Sequence, residues 1–180
     1  GVGRSVMILR KKLMPSMRGI STSSTTTSGQ RAAILGQANS GSLAVAIRFS
    51  FFCTSVRSQQ SAQALQQLGV KAAWVVHGSG CDEVALHGTT YVCELKEGQL
   101  SEFSLTPDDF GVATVSLDAI RGGDGAVNAA ALQDVLSGAK TAYRDVALCN
   151  AAASLIVAGK AADVTEGMHL ASQSLDGGGA

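Results

Sequence analysis

The chain has 180 residues, no formal net charge, 46% hydrophobic and 4% aromatic composition, so it is long enough for one ordinary domain whose core must be aliphatic and alanine-rich. Its cysteines, Cys53, Cys81, Cys93 and Cys149, show no Cys-x-x-Cys spacing, which argues against a zinc cage or a disulfide framework and predicts reduced thiols. All 14 acidic residues lie at or after Asp82 while the stretch before it is cationic, so the zero net charge joins two unlike halves.

Residues 1–59 are acid-free and rich in Ser, Thr, Arg and Gln, with Ser21 to Ser28 a run of hydroxyl residues. Three readings of this segment stay open. Residues 1–30 have the composition of a transit peptide, which implies a plastid; a prokaryotic chain is expected in the cytoplasm. A basic arm on nucleic acid is the second, although its charges are dispersed. The third is a reading-frame fault between about Gly19 and Arg57, leaving a disordered, non-matching leader. The apolar run Leu43 to Phe52 is too short to cross a bilayer and carries Arg48 in its middle, so no membrane partner is expected.

From Ser58 the signals become regular. Ala62, Leu65 and Leu68 fall at helical spacing, and Gly69 is placed to end the helix. Ala72 to Val76 is an apolar run too short for a helix; it reads as a strand of a parallel sheet buried on both faces, the second half of a helix-then-strand unit. The strand runs into His77-Gly78-Ser79-Gly80-Cys81-Asp82-Glu83. Gly78 and Gly80 let backbone approach a ligand, and adjacent carboxylates on a loop, Asp82 and Glu83, suit a hard cation such as Mg²⁺ better than a solvated helix face. His77, Cys81 and His87 are close in sequence, but the neighbouring carboxylates favour a hard ion over zinc.

Beyond the loop the period changes to two. Tyr91, Cys93 and Leu95 alternate with Val92 and Glu94, and Lys96-Glu97-Gly98-Gln99 turns the chain into Leu100 to Leu105, a hairpin. Thr106-Pro107-Asp108-Asp109 starts a short helical turn that ends at Gly111, and Ser116 begins another through Ile120. In Arg121-Gly122-Gly123-Asp124-Gly125 no strand leads in and no phosphate-loop spacing is present, so a plain loop with Asp124 near the cap of the Ala126–Leu136 helix is expected. Thr141 to Ala158 is apolar almost all round and reads as a central buried helix in which Asn150 must find hydrogen-bond partners. Asp163 to Glu166 has capping-box spacing and opens the last helix.

The run Val-Val-His-Gly-x-Gly-x-Asp-Glu-Val-x-Leu-His-Gly, with Glu94-Leu95, Leu105 to Gly111, Gly122-Gly123-Asp124, Asn128-Ala129-Ala130 and Asn150 to Ala153, resembles the C-terminal portion of the anthranilate phosphoribosyltransferase family. The resemblance covers residues 60–180. It implies part of the large α/β domain of a nucleoside phosphorylase/phosphoribosyltransferase-like fold, preceded by an irregular N-terminal segment. The implied reaction is pentosyl transfer from phosphoribosyl pyrophosphate to anthranilate, with release of pyrophosphate, in tryptophan biosynthesis. Mg²⁺ is the implied cofactor, Asp82 and Glu83 its ligands, and Gly78 a substrate contact; no side chain is assigned a catalytic role. A homodimer is implied for the full-length protein. The family's Gly-Thr-Gly-Gly-Asp loop, Lys-His-Gly-Asn segment and substrate arginine have no counterpart here, so the polypeptide is expected to be a fragment inactive alone, with an open sheet edge beside Ala72 to Val76. A non-catalytic member that binds nucleic acid and a pyrimidine nucleoside phosphorylase stay as alternatives.

Overall fold

A computed structural model describes residues 4–10, 43–49, 55–81 and 83–178, with side chains from residue 58 onward. Cys53, Asp82 and most of the cationic leader, including the Ser21–Ser28 run, lie outside the described residues.

The described elements are β1 (Arg4–Arg10), β2 (Leu43–Phe49), α1 (Ser55–Gln67), β3 (Ala72–Gly78), β4 (Thr90–Lys96), β5 (Gln99–Leu105), α2 (Gly125–Leu136), α3 (Ala142–Val157) and α4 (Val164–Asp176), with the two expected short turns present as 3₁₀ helices at Pro107–Phe110, after Thr106, and Leu117–Ile120. The strands form one sheet in the order β2-β1-β3-β4-β5. Every pairing in it is antiparallel, which corrects the expectation of a parallel sheet. An unbroken apolar run signals burial on both faces, and strand direction leaves no mark in it. β3 is indeed packed on both sides: Ala73 and Val75 join Cys93 and Leu95 under Ala62 and Leu65 of α1. On the other face Trp74, Val76 and Val92 meet Val84, Leu86, Phe110 and the Cys149, Ala152, Ala153 and Val157 stripe of α3.

The expected open edge of β3 is also corrected, because β1 lies beside it in the register Val6↔Val75 and Met7↔Trp74. The hairpin forms as its period predicts, and Glu97 and Gly98 both take positive φ, 50° and 83°, the type I′ geometry that follows the twist of the strands. The alternation in β4 separates two apolar faces, α1-side and α3-side, rather than core from water.

Helix ends follow the side chains that flank them. The Asp124 carboxylate accepts from the amides of Ala126 and Val127, so the glycine cluster is the cap of α2. Asp163 accepts from the Glu166 amide, and the Glu166 carboxylate reaches back to the amide of Ala162, one residue before the N-cap expected of a capping box. Gly69, at φ 78°, closes α1 with its amide on the Gln66 carbonyl. Leu68 departs from its expected place in the core: it falls after the last turn of α1 and is 73% exposed. α2 is apolar yet buries only Val135, whereas α3 is the central helix that its composition predicts. Among the described residues no helix is long and apolar enough to cross a membrane.

Candidate functional site

The candidate site is the loop between β3 and β4. Its middle is anchored by apolar side chains: Val84, Ala85 and Leu86 are 1%, 1% and 0% exposed. Burying that backbone strands its amides unless acceptors are supplied. Two side chains supply them. The Val84 amide donates to Asn150 Oδ1 of α3 at 3.2 Å, and the Ala85 amide donates to Thr90 Oγ1 at 2.9 Å. Asn150 Nδ2 donates to the Val146 carbonyl at 2.8 Å and makes a long contact of 3.5 Å with the Glu83 carboxylate. Asn150 therefore finds its partners in the acidic loop as well as in its own helix.

Glu83 is half-buried next to this anchor; Asp82, the other acid read from the sequence, is outside the described residues. Gly78 is buried. A Cβ there would lie 2.3 Å from the Glu83 carbonyl oxygen and 2.7 Å from Ala85 Cβ, so the returning loop packs directly on its Cα. The Gly78 N–H and C=O are both paired with Cys81, at 3.2 and 2.7 Å. His77 stands opposite Tyr91 across the β3–β4 ladder, with the two rings stacked 6.5 Å apart. His87 places its Nε2 3.1 Å from the Ser79 carbonyl. Among the described residues no group of three or more His, Cys, Asp or Glu side chains could hold a metal ion.

The structure brings Gly78, Glu83 and Asn150 together and adds Thr90, which sequence reading passed over. Thr90 is 1% exposed, and the only signal for it was a hydroxyl residue at the start of the strand, on the face that Val92 and Glu94 share. On the loop's own face of the sheet the Trp74 indole N–H donates to Glu94 at 2.8 Å and its ring meets Phe103 edge-on at 5.4 Å, which ties β3, β4 and β5 together under the loop.

The loop thus shows a carboxylate above a buried anchor, on a sheet packed on both faces. The chain belongs to the glycosyl transferase family: the model for "Glycosyl transferase family, a/b domain" matches residues 53–180. Within it the chain is 60% identical over 119 residues to the anthranilate phosphoribosyltransferase of Rhizobium meliloti (strain 1021), covering 66% of this chain and 35% of that protein. It is 54% identical over 123 residues to the enzyme of the same name from Rhodopseudomonas palustris (strain TIE-1), covering 68% and 36%. The crystal structure of anthranilate phosphoribosyltransferase from Thermus thermophilus superposes with a TM-score of 0.63 at 33% identity, over 69% of this chain and 37% of that one. The Saccharomyces cerevisiae enzyme in complex with PRPP and Mg gives 0.60 at 25% identity, over the same shares. The chain thus spans about a third of the length of the relatives it matches.

Proposed function

We propose that residues 60–178 supply the diphosphate-side half of an anthranilate phosphoribosyltransferase site, with Asp82 and Glu83 as the carboxylates that hold Mg²⁺ on phosphoribosyl pyrophosphate. The observation that carries this is the tie between Glu83 and the core: the acid stands on a loop whose next three residues are buried, the amides of Val84 and Ala85 being bound to Asn150 and Thr90. A carboxylate so fixed does not have to be ordered when a ligand arrives.

The donor set fits the ion. Mg²⁺ keeps several waters and is usually held by one or two carboxylates plus substrate phosphates, so a dedicated protein cage is not required. When bound, the ion would neutralise charge on the departing diphosphate. The chain's own part is positioning. Glu83 is held by Asn150, and Gly78 lets the loop close against β3; with both its backbone groups given to Cys81, Gly78 acts through shape rather than as a hydrogen-bond donor to substrate. With both substrates placed, the amine of anthranilate attacks the anomeric carbon as pyrophosphate leaves, a reaction that gains chiefly from alignment.

The test is a graft. The 119 matched residues replace their counterparts in the Rhizobium meliloti enzyme, and the product is assayed for phosphoribosyl anthranilate and for growth of a tryptophan auxotroph. The graft is expected to be active, and Asp82→Asn with Glu83→Gln to lower its rate about 10²-fold or more, as loss of a metal's ligands does. A folded but inactive graft, or a double variant with the parent's rate, overturns the reading.

A further inference from the structure

We infer that Ser79 and His87 form a clasp that holds the Ser79-Gly80 turn, and with it Cys81 and Glu83, in place; both are positioning residues, and the inference rests on the function proposed above. Among the described residues, the non-glycine residues with positive φ are Ser79, at 44°, and Glu97, at 50°. Each is followed by a glycine that is also positive, Gly80 at 99° and Gly98 at 83°, so both pairs make the same kind of tight turn.

The supports of the two turns differ. The Glu97-Gly98 turn is continued by the full β4–β5 ladder, from Lys96↔Gln99 to Thr90↔Leu105. The Ser79-Gly80 turn closes a single isolated bridge, Gly78↔Cys81. A left-handed serine costs backbone free energy, and such residues persist where their surroundings over-determine them. Here the surroundings are the far end of the same loop. Ser79 Oγ–H donates to the Thr89 carbonyl at 2.9 Å. The Ser79 carbonyl can only accept, so His87 Nε2 carries the proton in their 3.1 Å contact. The other ring nitrogen, Nδ1, is buried with no hydrogen-bond partner among the described residues, so the ring's contact with Ser79 is made through Nε2 alone. Gly88 completes the fit, since a Cβ there would lie 2.6 Å from Ser79 Oγ.

The clasp thus joins residue 79 to residues 87–89, and the acidic pair lies between its ends. Opening it frees the turn without unpacking Val84 and Leu86, which are anchored separately. Ser79 and His87 would then act on ligand affinity more than on fold stability.

The experiment measures affinity of the full chain for Mg²⁺ with pyrophosphate by calorimetry, together with thermal midpoint and amide hydrogen exchange at residues 81–85. Ser79→Gly relieves the backbone strain while removing the hydroxyl, so it should melt no lower than the parent yet bind about tenfold more weakly, the scale for a lost outer-shell partner. His87→Ala and Gly88→Ala should weaken binding likewise, and His87→Gln, which keeps a donor for the Ser79 carbonyl, should restore it. Parent-like affinity in Ser79→Gly overturns the clasp. If the parent chain itself does not bind Mg²⁺ and pyrophosphate, the functional reading is what fails, and exchange decides the clasp alone: faster exchange at Cys81 and Glu83 in Ser79→Gly upholds it, and unchanged rates overturn it.

Discussion

Asn150 and Val84, 66 positions apart, are joined by a hydrogen bond of 3.2 Å from the Val84 amide to the Asn150 side-chain oxygen. It ties the central helix to the acidic loop at a residue that is 1% exposed, where water cannot substitute for a lost acceptor. Asn150→Ala should therefore cost about 1–3 kcal/mol, the desolvation penalty of an orphaned buried amide. Asn150→Asp keeps the acceptor, but it loses the donor to Val146 and sets a second carboxylate against Glu83. Urea unfolding midpoints for the two variants check this; a neutral Asn150→Ala would show that the tie is dispensable.

Gly167 of α4 faces Ala152 of α3 closely enough that a Cβ added to it would lie 3.0 Å from Ala152 Cβ and 3.0 Å from the Ala152 carbonyl oxygen. The contact is with backbone and a core alanine, neither of which can swing aside. Gly167→Ala should be tolerated with a small shift of α4, whereas Gly167→Leu should overpack the α3–α4 seam and cost about 1–3 kcal/mol or more. Thermal unfolding of both variants measures the difference, and equal midpoints would contradict it.

Arg144 is buried at 3% side-chain exposure and pairs at 2.9 Å with Asp176, which is 45% exposed. The pair is asymmetric. Removing Asp176 leaves a cation in the interior, while removing Arg144 leaves a carboxylate that water can reach, so Asp176→Asn should destabilise more than Arg144→Met. Burial alone raises the Asp176 pKa, but the hydrogen bond and charge of Arg144, with Lys140 and Ser172, outweigh it and hold the carboxyl below its ordinary 3.8. A depressed folded pKa contributes stability that is present above the unfolded value and is lost as pH falls through the folded one. The parent should accordingly lose stability as pH drops below 3.8, and Asp176→Asn should flatten that part of the profile in acid titrations followed by circular dichroism.

Helices and turns were legible in the sequence wherever one side chain decides a boundary, as Gly69, Thr106, Asp124 and Asp163 do. Strand direction was not, since Ala72 to Val76 is equally apolar in either kind of sheet and its neighbours are set by register. Leu68 shows the limit of periodicity, which carries on past the last hydrogen-bonded turn. At the site, Gly78 and Glu83 stood out by chemistry, but the residues that fix them did not. Asn150 and Thr90 carry no local pattern that marks them, and only tertiary packing shows that their partners are the amides of residues 84 and 85.

The thiols make the loop's exposure measurable. Burial, then the charge of Glu102, pushes Cys93 up to about 11. Burial, then the charge of Asp145, pushes Cys149 up to about 12 against a partial offset from a backbone hydrogen bond. At pH 8 a thiol of pKa 12 is thiolate in roughly one molecule in 10⁴, and alkylation needs the thiolate. Cys81, half-buried at the turn beside Gly80, should therefore react with iodoacetamide ahead of Cys93 and Cys149 in the native chain. In urea Cys93 and Cys149 should converge on the rate of Cys81 as their burial is lost, so the ratio of rates reports how often the core opens. Peptide mass mapping after timed labelling reads each position separately, and Cys149 labelling as fast as Cys81 without denaturant would mean that the packing of α3 on the sheet is not what protects it.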